Sequence, residues 1–365
     1  MGVLNSSRNV MKGFIEKSYS MGQLHGEMKK INDLRRQNLI KSVHFTRAEE
    51  NEIDMLYISN YGKKIKYDWH KLYQSFTGEF DENYFPEYLF SSVLEPKMNP
   101  MDYRYVLDDK LLLPLFCVGV DNVRTPRTYY SISNGICFDE EKNIVDLKKI
   151  DFKWGGGIEA IIKPVQDTSS GVGVEKIIGS ESIMSNLQEK AKKKGTYIVQ
   201  ECITQNEQLA VLYAGAVNTF RVITYLWNGE VFHVPLVLRI GQGGSYLDNA
   251  HAGGMFIGVN DLGELNDEAF TEFGKRYKKH PDTYTVFRDY KLSFVPELIK
   301  SAKKLHLNAP QLGIISWDLT IDQNGEFVLI EANTRGQGIW LSQMAHGCGP
   351  FGENTTEILR YVASR

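Results

Sequence analysis

The chain places two carboxylates and an amide where an apolar run ends: Asp318, Glu331 and Asn333. All three fall in "SWDLTIDQNGEFVLIEAN", which reads as two strands joined by the turn Gln323-Asn324-Gly325. Asn-Gly is the strongest short hairpin signal, because the tight turn needs residues that accept left-handed backbone. Folded about it, Asp318 pairs near Glu331 and Leu319 near Ile330, so both acids finish side by side at one end of the hairpin. Side chains alternate along an extended chain, which turns Asn333 the same way as Glu331. Acid, acid and amide converging on one point are hard oxygen donors, suited to a hard cation.

A second set lies upstream. "AIIKPVQDTSSGVGVEKI" is an apolar strand ending in Lys163, a loop of small residues, and another apolar run. Gly171 and Gly173 let the backbone approach an anion, Ser169 and Ser170 offer hydroxyl donors, and Lys163 is a point charge for phosphate oxygens. The segment is neither GxxxxGK[ST] nor GxGxxG before a helix, so a plain hairpin turn is the competing reading. In "TYIVQECITQNEQL" the exit of a strand carries Gln200, Glu201, Ile203 and Glu207. Backbone groups there can meet an adenine edge and a carboxylate can meet a ribose, although acids after a strand are otherwise simply solvated. Further on, Asn218, Arg221, Arg239, Asp248 and Asn249 stand at strand ends, with a surface salt bridge as the alternative use of either arginine.

Elements must hold these groups in place, and the 365 residues suffice for two or three structural units. Met11 to about Leu39 has apolar residues at helical spacing among Lys, Glu and Gln. The aromatic, proline-punctuated stretch "YDWHKLYQSFTGEFDENYFPEYLFSSVLEPKMNP" reads as a layer packed under a domain. From Thr125 onward short β-type runs dominate, interrupted by helices at about Ser180 to Lys194, at Pro296 to Leu305 and at the C-terminus. The expected organisation is a helical and aromatic N-terminal domain (1–108), a small nucleotide-binding subdomain with the glycine loop (109–200), and a large subdomain with the cation site (201–365). The 42 basic and 45 acidic residues leave a net charge of -3, so nothing asks for nucleic acid or an anionic membrane. Cys117, Cys137, Cys202 and Cys348 form no CxxC pair, which fits a reducing cytoplasm better than a zinc site or a disulfide framework. "LLLPLFCVGV" is about half the ~20 residues a membrane span needs and contains Pro114. No signal peptide is expected, and the formal myristoylation match Met1-Gly2…Ser6 is set aside.

The order Lys110, Lys163 with its loop, Glu201, then Asp318, Glu331 and Asn333 resembles the ATP-grasp superfamily from about Asp109 to Gln337. "WHKLYQSFTGEFDENYFPEYLF", "VNTFRV", "LDNAHAGGMFIGV", "KHPDT" and "GIISWDLTID" extend the likeness over nearly the whole chain, to the bacterial sugar-transfer-associated ATP-grasp family. The resemblance implies an α/β (α+β) fold with two subdomains clamping ATP behind a helical N-terminal domain. It implies Lys110, Lys163 and the glycine loop on the phosphates, the "QEC" position as adenine hinge, and two Mg2+ ions on Asp318, Glu331 and Asn333. Amino-acid ligases of the superfamily often carry an arginine two residues before the metal-binding aspartate, where this chain has Ser316. Arg239, Arg221 and Arg335 are then the candidates, in that order, to offset charge on the transferred phosphoryl. The expected activity is an ATP-dependent carboxylate–amine ligation through an acylphosphate, on a sugar acid or amino acid in polysaccharide or glycoconjugate synthesis. A phosphotransferase acting on a hydroxyl and a non-catalytic nucleotide-binding partner of a glycosyltransferase are the alternatives. Partners are small molecules, with a homodimer open to it and no nucleic acid or membrane insertion.

Overall fold

The structure, a computed structural model, describes residues 2–147, 159–166, 173–193 and 195–364. Its strands are β1 (Val123–Arg124), β2 (Thr128–Ser133), β3 (Ile136–Asp139), β4 (Ile144–Val145), β5 (Glu159–Pro164), β6 (Glu175–Ile178), β7 (Thr196–Glu201), β8 (Thr219–Trp227), β9 (Glu230–His233), β10 (Leu236–Ile240), β11 (Met255–Val259), β12 (Ala269–Phe270), β13 (Arg276–Tyr277), β14 (Ile314–Ile321) and β15 (Phe327–Asn333). They form two sheets. The larger runs β1-β15-β14-β8-β10-β11-β12-β13 with β9 beside β8, and the smaller runs β4-β3-β2-β7-β5-β6. The fold is mixed α/β with a helical N-terminal region.

The hairpin expected around Gly325 is present, with Asp318 opposite Glu331 and Ser316 opposite Asn333. Its turn is held by the Asp322 carboxylate, which accepts from the backbone N–H of Asn324 at 2.9 Å and of Glu326 at 3.0 Å, while Gly325 takes φ +83°. The pairing of Leu319 near Ile330 is corrected: a bulge after Asp318 sets Leu319 against Leu329 and leaves Ile330 as the extra residue. Strict alternation would put Phe327, Leu329, Glu331 and Asn333 on one face. The bulge shifts the phase, so Phe327 and Leu329 enter the apolar core while Glu331 and Asn333 face the other way.

Alternation sorts the neighbouring strands in the same manner. Phe220, Val222, Leu236, Leu238, Ile315, Trp317 and Leu319 join the helix Val295–Leu307 in the core on one face of the large sheet. Thr219, Arg221, Arg239 and Asp318 occupy the opposite face. That second face is covered by helices from both ends of the chain: α1 (Gly2–Ile31), α2 (Leu34–Lys41), α3 (Arg47–Tyr61) and α4 (Asp68–Thr77), with the C-terminal helices Trp340–His346 and Thr355–Ala363. Thr46 and Glu49 close a capping box that starts α3, and Gly62 ends it in left-handed backbone. Tyr57 of α3 shares a core with Tyr225, Phe351 and Ile358, and Phe76 of α4 shares another with Phe256, Leu341 and Met344. Gln343 locks the two ends together, accepting from the Phe85 N–H at 2.7 Å and donating to the Phe85 carbonyl at 3.0 Å.

The smaller sheet begins at Thr128, whereas Leu113, Phe116 and Val120, placed by the sequence reading in the small subdomain, pack into the core of the large sheet. Among the described residues no helix is long and apolar enough to cross a membrane.

Candidate active site

The two sheets and α1 enclose a cavity of about 670 Å³. The small sheet supplies Ile161 and Lys163 from β5, and Gln200 and Glu201 from β7. On β5, Ala160 and Ile162 point into the small sheet's own core, so the intervening Ile161 and Lys163 face the cavity. The large sheet supplies Thr219, Arg221, Arg239, Asp318, Ile330, Glu331 and Asn333.

Lys110 arrives from a short 3-10 turn that Asp109 caps by accepting from the Leu111 N–H at 2.8 Å. The Lys110 backbone N–H donates to the Val165 carbonyl at 3.2 Å, tying this turn to the end of β5. Its Nζ lies 2.7 Å from Glu331 Oε1. Burial, and then the nearby charge of Lys110, lower the Lys163 ammonium to about 8 against the opposing pull of Glu331 and Asp318. A lysine so placed is a poorly hydrated cation.

Asp318 stands directly across from Arg221 on β8. Its Oδ1 is 2.8 Å from Arg221 Nε, and its Oδ2 is 3.0 Å from Arg239 Nη2. Arg239 also donates from Nε to Thr219 Oγ1 at 2.9 Å, and Thr219 in turn donates to Asp248. Burial opposes the Arg239 charge, but Asp248, Asp318 and Glu331 outweigh it and hold the guanidinium firmly protonated; for Arg221 burial wins and the shift is downward. Burial raises Asp248, countered by Arg239 and the Thr219 bond. Lys110, Lys163, Arg221 and Arg239 thus gather around Asp248, Asp318 and Glu331, although over the whole lining six Lys and Arg side chains face seven carboxylates, so the positive charge is local to this cluster.

The donor chemistry also suits a hard cation. Asp318 Oδ1 and Arg221 Nε are close but poorly aligned, and both count as buried atoms without a hydrogen bond. The Asp318 Oδ1 contact with Arg221 Nε is an ion pair, and Arg221 donates instead from Nη2 to Asp318 Oδ2 at 3.3 Å. Asn333 donates from Nδ2 to the Ser316 carbonyl at 3.3 Å, which leaves its Oδ1 as the second end of the amide. Among the described residues no group of three or more His, Cys, Asp or Glu converges as a metal cluster; the set is two carboxylates plus an amide. Magnesium accepts such a small all-oxygen set because it retains waters and shares phosphate oxygens.

Other candidates are placed as follows. Gln200 faces the cavity but donates from Nε2 to Thr128 Oγ1 at 3.0 Å. Glu201 is paired with Arg124 and accepts from the Arg127 N–H at 3.1 Å, so its carboxylate is held at the rim. Ile203 lines the cavity; Glu207 does not, because it opens the exposed turn of helix Glu207–Ala210 beyond the Asn206 cap. Arg335 lines the cavity, with Nη2 3.1 Å from Asp108 Oδ2 and its guanidinium over the Tyr105 ring. Gly173 has φ +77°, and a Cβ there would press the Pro164 ring at 3.1 Å. Ser169, Ser170 and Gly171 lie outside the described residues. Asn249 lines the cavity, whereas Asn218 is structural, donating to the carbonyls of Leu209 at 2.9 Å and Tyr213 at 2.8 Å.

Sequence reasoning missed Gln23 and Glu27 of α1, Glu87, Gln337 and Trp340, which also line the cavity. Only packing of α1 and the Glu87 turn onto the large sheet brings them there, and no local pattern announces it.

Solved structures similar to this chain include an L-amino acid ligase from Bacillus licheniformis, at 13% identity and TM-score 0.41, covering 71% of this chain and 48% of that one. D-alanyl-alanine synthetase A from Vibrio cholerae O1 biovar eltor is 16% identical with TM-score 0.40, covering 70% and 64%. Carboxyaminoimidazole ribonucleotide synthase from Aspergillus clavatus, complexed with ATP, is 12% identical with TM-score 0.41, covering 68% and 52%. The chain therefore spans about half to two thirds of the length of these structures. No curated relative matches it. The family described as sugar-transfer associated ATP-grasp matches residues 89–358, which is most of the chain, and the protein belongs to that family.

Proposed function

We propose that the chain is an ATP- and magnesium-dependent carboxylate–amine ligase acting on a sugar acid or amino acid, with the amide made through an acylphosphate. One observation carries this reading: buried Lys110, Lys163 and Arg239 meet Asp318, Glu331 and Asn333 around a single cavity. That arrangement supports phosphoryl transfer, which needs positioning and charge neutralisation more than a protein nucleophile.

In this mechanism Lys110 and Lys163 hold the phosphate oxygens of ATP, and Gln200, Glu201 and Ile203 border the base and ribose. Asp318, Glu331 and Asn333 would hold a pair of magnesium ions, which supply Lewis-acid neutralisation of the phosphate charge. Arg239, backed by Thr219 and Asp248, faces the transferred phosphoryl in the role left open by Ser316. The substrate carboxylate oxygen attacks the γ-phosphorus and ADP leaves. An amine then attacks the activated carbonyl, phosphate leaves with its oxygen, and a proton is released. Incubation of the protein with ATP, magnesium, pooled sugar acids and amino acids, read by mass spectrometry, tests the reading. A product whose mass is the sum of acid and amine less water supports it; a product gaining only phosphate, or ATP left intact, overturns it.

A further inference from the structure

Charge is not evenly spread around the cavity wall. The sheet end is rich in cations, whereas the end beneath α1 carries Glu27, Lys30 and Glu87. Glu27 and Lys30 are paired at 2.7 Å, so Glu87 is the acid left over. Glu87 is 4% exposed, and among the described residues it makes no ion pair. Its Oε1 accepts from the Ile339 N–H at 3.2 Å, while its Oε2 has no hydrogen-bond partner. Gln337, also 4% exposed, donates from Nε2 to the Ile314 carbonyl at 3.2 Å and leaves Oε1 without a partner. Two buried oxygens on one wall thus lack hydrogen-bond partners, a costly state unless something arrives to satisfy them.

The backbone is shaped around them. A Cβ at Gly338 would stand 2.9 Å from Glu87 Oε1 and 2.8 Å from the Trp340 ring, so glycine is needed for the carboxylate and the indole to sit this close. Trp340 lines the same end, its ring 5.5 Å from that of His251 and with the Arg36 guanidinium, itself paired with Glu272, 5.8 Å from the ring centre. An aromatic face beside an unpaired carboxylate and an amide oxygen is a cation-binding combination.

We propose that the α1 end of the cavity is the subsite for an ammonium-bearing co-substrate, which donates to Glu87 Oε2 and Gln337 Oε1 against the face of Trp340. The proposal rests on the ligase reading and identifies the amine partner as one bound in its cationic form. Burial and the neighbouring Glu27 raise the empty Glu87 well above the usual carboxylate range, partly offset by Lys30, so the empty site favours the protonated acid and an arriving ammonium displaces that proton as it pairs with the carboxylate. A neutral ligand of equal size cannot form that ion pair.

Calorimetry on the full chain, with magnesium and a non-hydrolysable ATP analogue present, tests the subsite separately from turnover. Glucosamine, ethanolamine and putrescine serve as ammonium probes, and N-acetylglucosamine is the neutral control. At least one ammonium probe should bind, with N-acetylglucosamine weaker by about tenfold or more, and Glu87→Gln should weaken the ammonium probe by about tenfold while binding the ATP analogue as before. Failure of all three probes, equal binding of the acetylated sugar, or an unchanged affinity in folded Glu87→Gln overturns the subsite. Should Glu87→Gln not fold, Glu27→Gln carries the test, with a loss of at least about threefold expected and no loss overturning it. Absence of ATP-analogue binding in the wild type is a different result, which sinks the ligase reading itself.

Discussion

Lys163 is the side chain on which electrostatics and binding meet. It is 6% exposed and its ammonium is lowered to about 8, so it is charged below that pH and neutral above it. ATP affinity of the ligand-free protein should hold steady from pH 6 to 7.5 and fall as pH rises through about 8; a flat calorimetric profile to pH 9 counts against a phosphate role. Stability moves the other way. Because the folded state releases this proton before the unfolded chain does, stability rises with pH between about 8 and 10.5. Lys163→Ala should weaken ATP by about 1.5–3 kcal/mol, the loss of one charge-assisted contact, with the fold retained. At Glu331 the 2.7 Å pair with Lys110 alters the simple expectation for a metal-binding acid. Glu331→Gln should abolish turnover and the rise in melting temperature caused by magnesium and ATP, and also cost about 1–3 kcal/mol without ligand. A variant that still gains thermal stability from magnesium and ATP as the wild type does would refute the metal assignment.

Elements matter where one carboxylate ties several of them together. Glu95, fully buried, accepts from the N–H of Gly336 and of Gln337, both at 3.1 Å, and from the Tyr19 hydroxyl of α1 at 3.3 Å. It therefore pins α1 to the segment that follows β15. Burial raises it to about 7, although those N–H donors and Arg104 oppose the shift. The folded state thus holds this proton where the unfolded chain has lost it, and the contribution of Glu95 to stability falls as pH rises from about 4.5 to about 7. At about 1.4 kcal/mol per unit the change is on the order of 3 kcal/mol. Denaturant titrations of the wild type and of Glu95→Gln at pH 5 and pH 8 check this: the variant should lose most of the difference, and an equal pH dependence in both proteins disproves it.

At the scale of the molecule, the N-terminal helices and the large sheet make one cooperative body. Tyr57 and Phe76 share cores with residues between Ile223 and Val362, and the fully buried Arg104 pairs with Glu16 of α1 at 2.8 Å. Scanning calorimetry should show α3 and α4 melting with the large sheet, and Tyr57→Ala should lower that transition by about 3–5 kcal/mol, as for other large buried aromatics. A separate, earlier melting step assigned to residues 34–77 by hydrogen exchange would contradict a shared core. Local chemistry made much of this protein legible without coordinates. Asn324-Gly325 sets a turn by its backbone preference, alternation divides Arg221 and Arg239 from Phe220 and Leu238, and two acids at matching distances from that turn must come together. Three matters escaped such reasoning. The bulge at Ile330 puts Leu329 and Glu331 on opposite faces, and a bulge is chosen by what packs on each face. The pairing of Glu331 with Lys110 joins residues far apart in sequence, and the wall beneath α1 joins Glu27, Glu87 and Trp340 from three distant segments. Turn and strand preferences act over a few residues and are written locally; burial and charge pairing depend on which surfaces meet, and only the folded chain determines that.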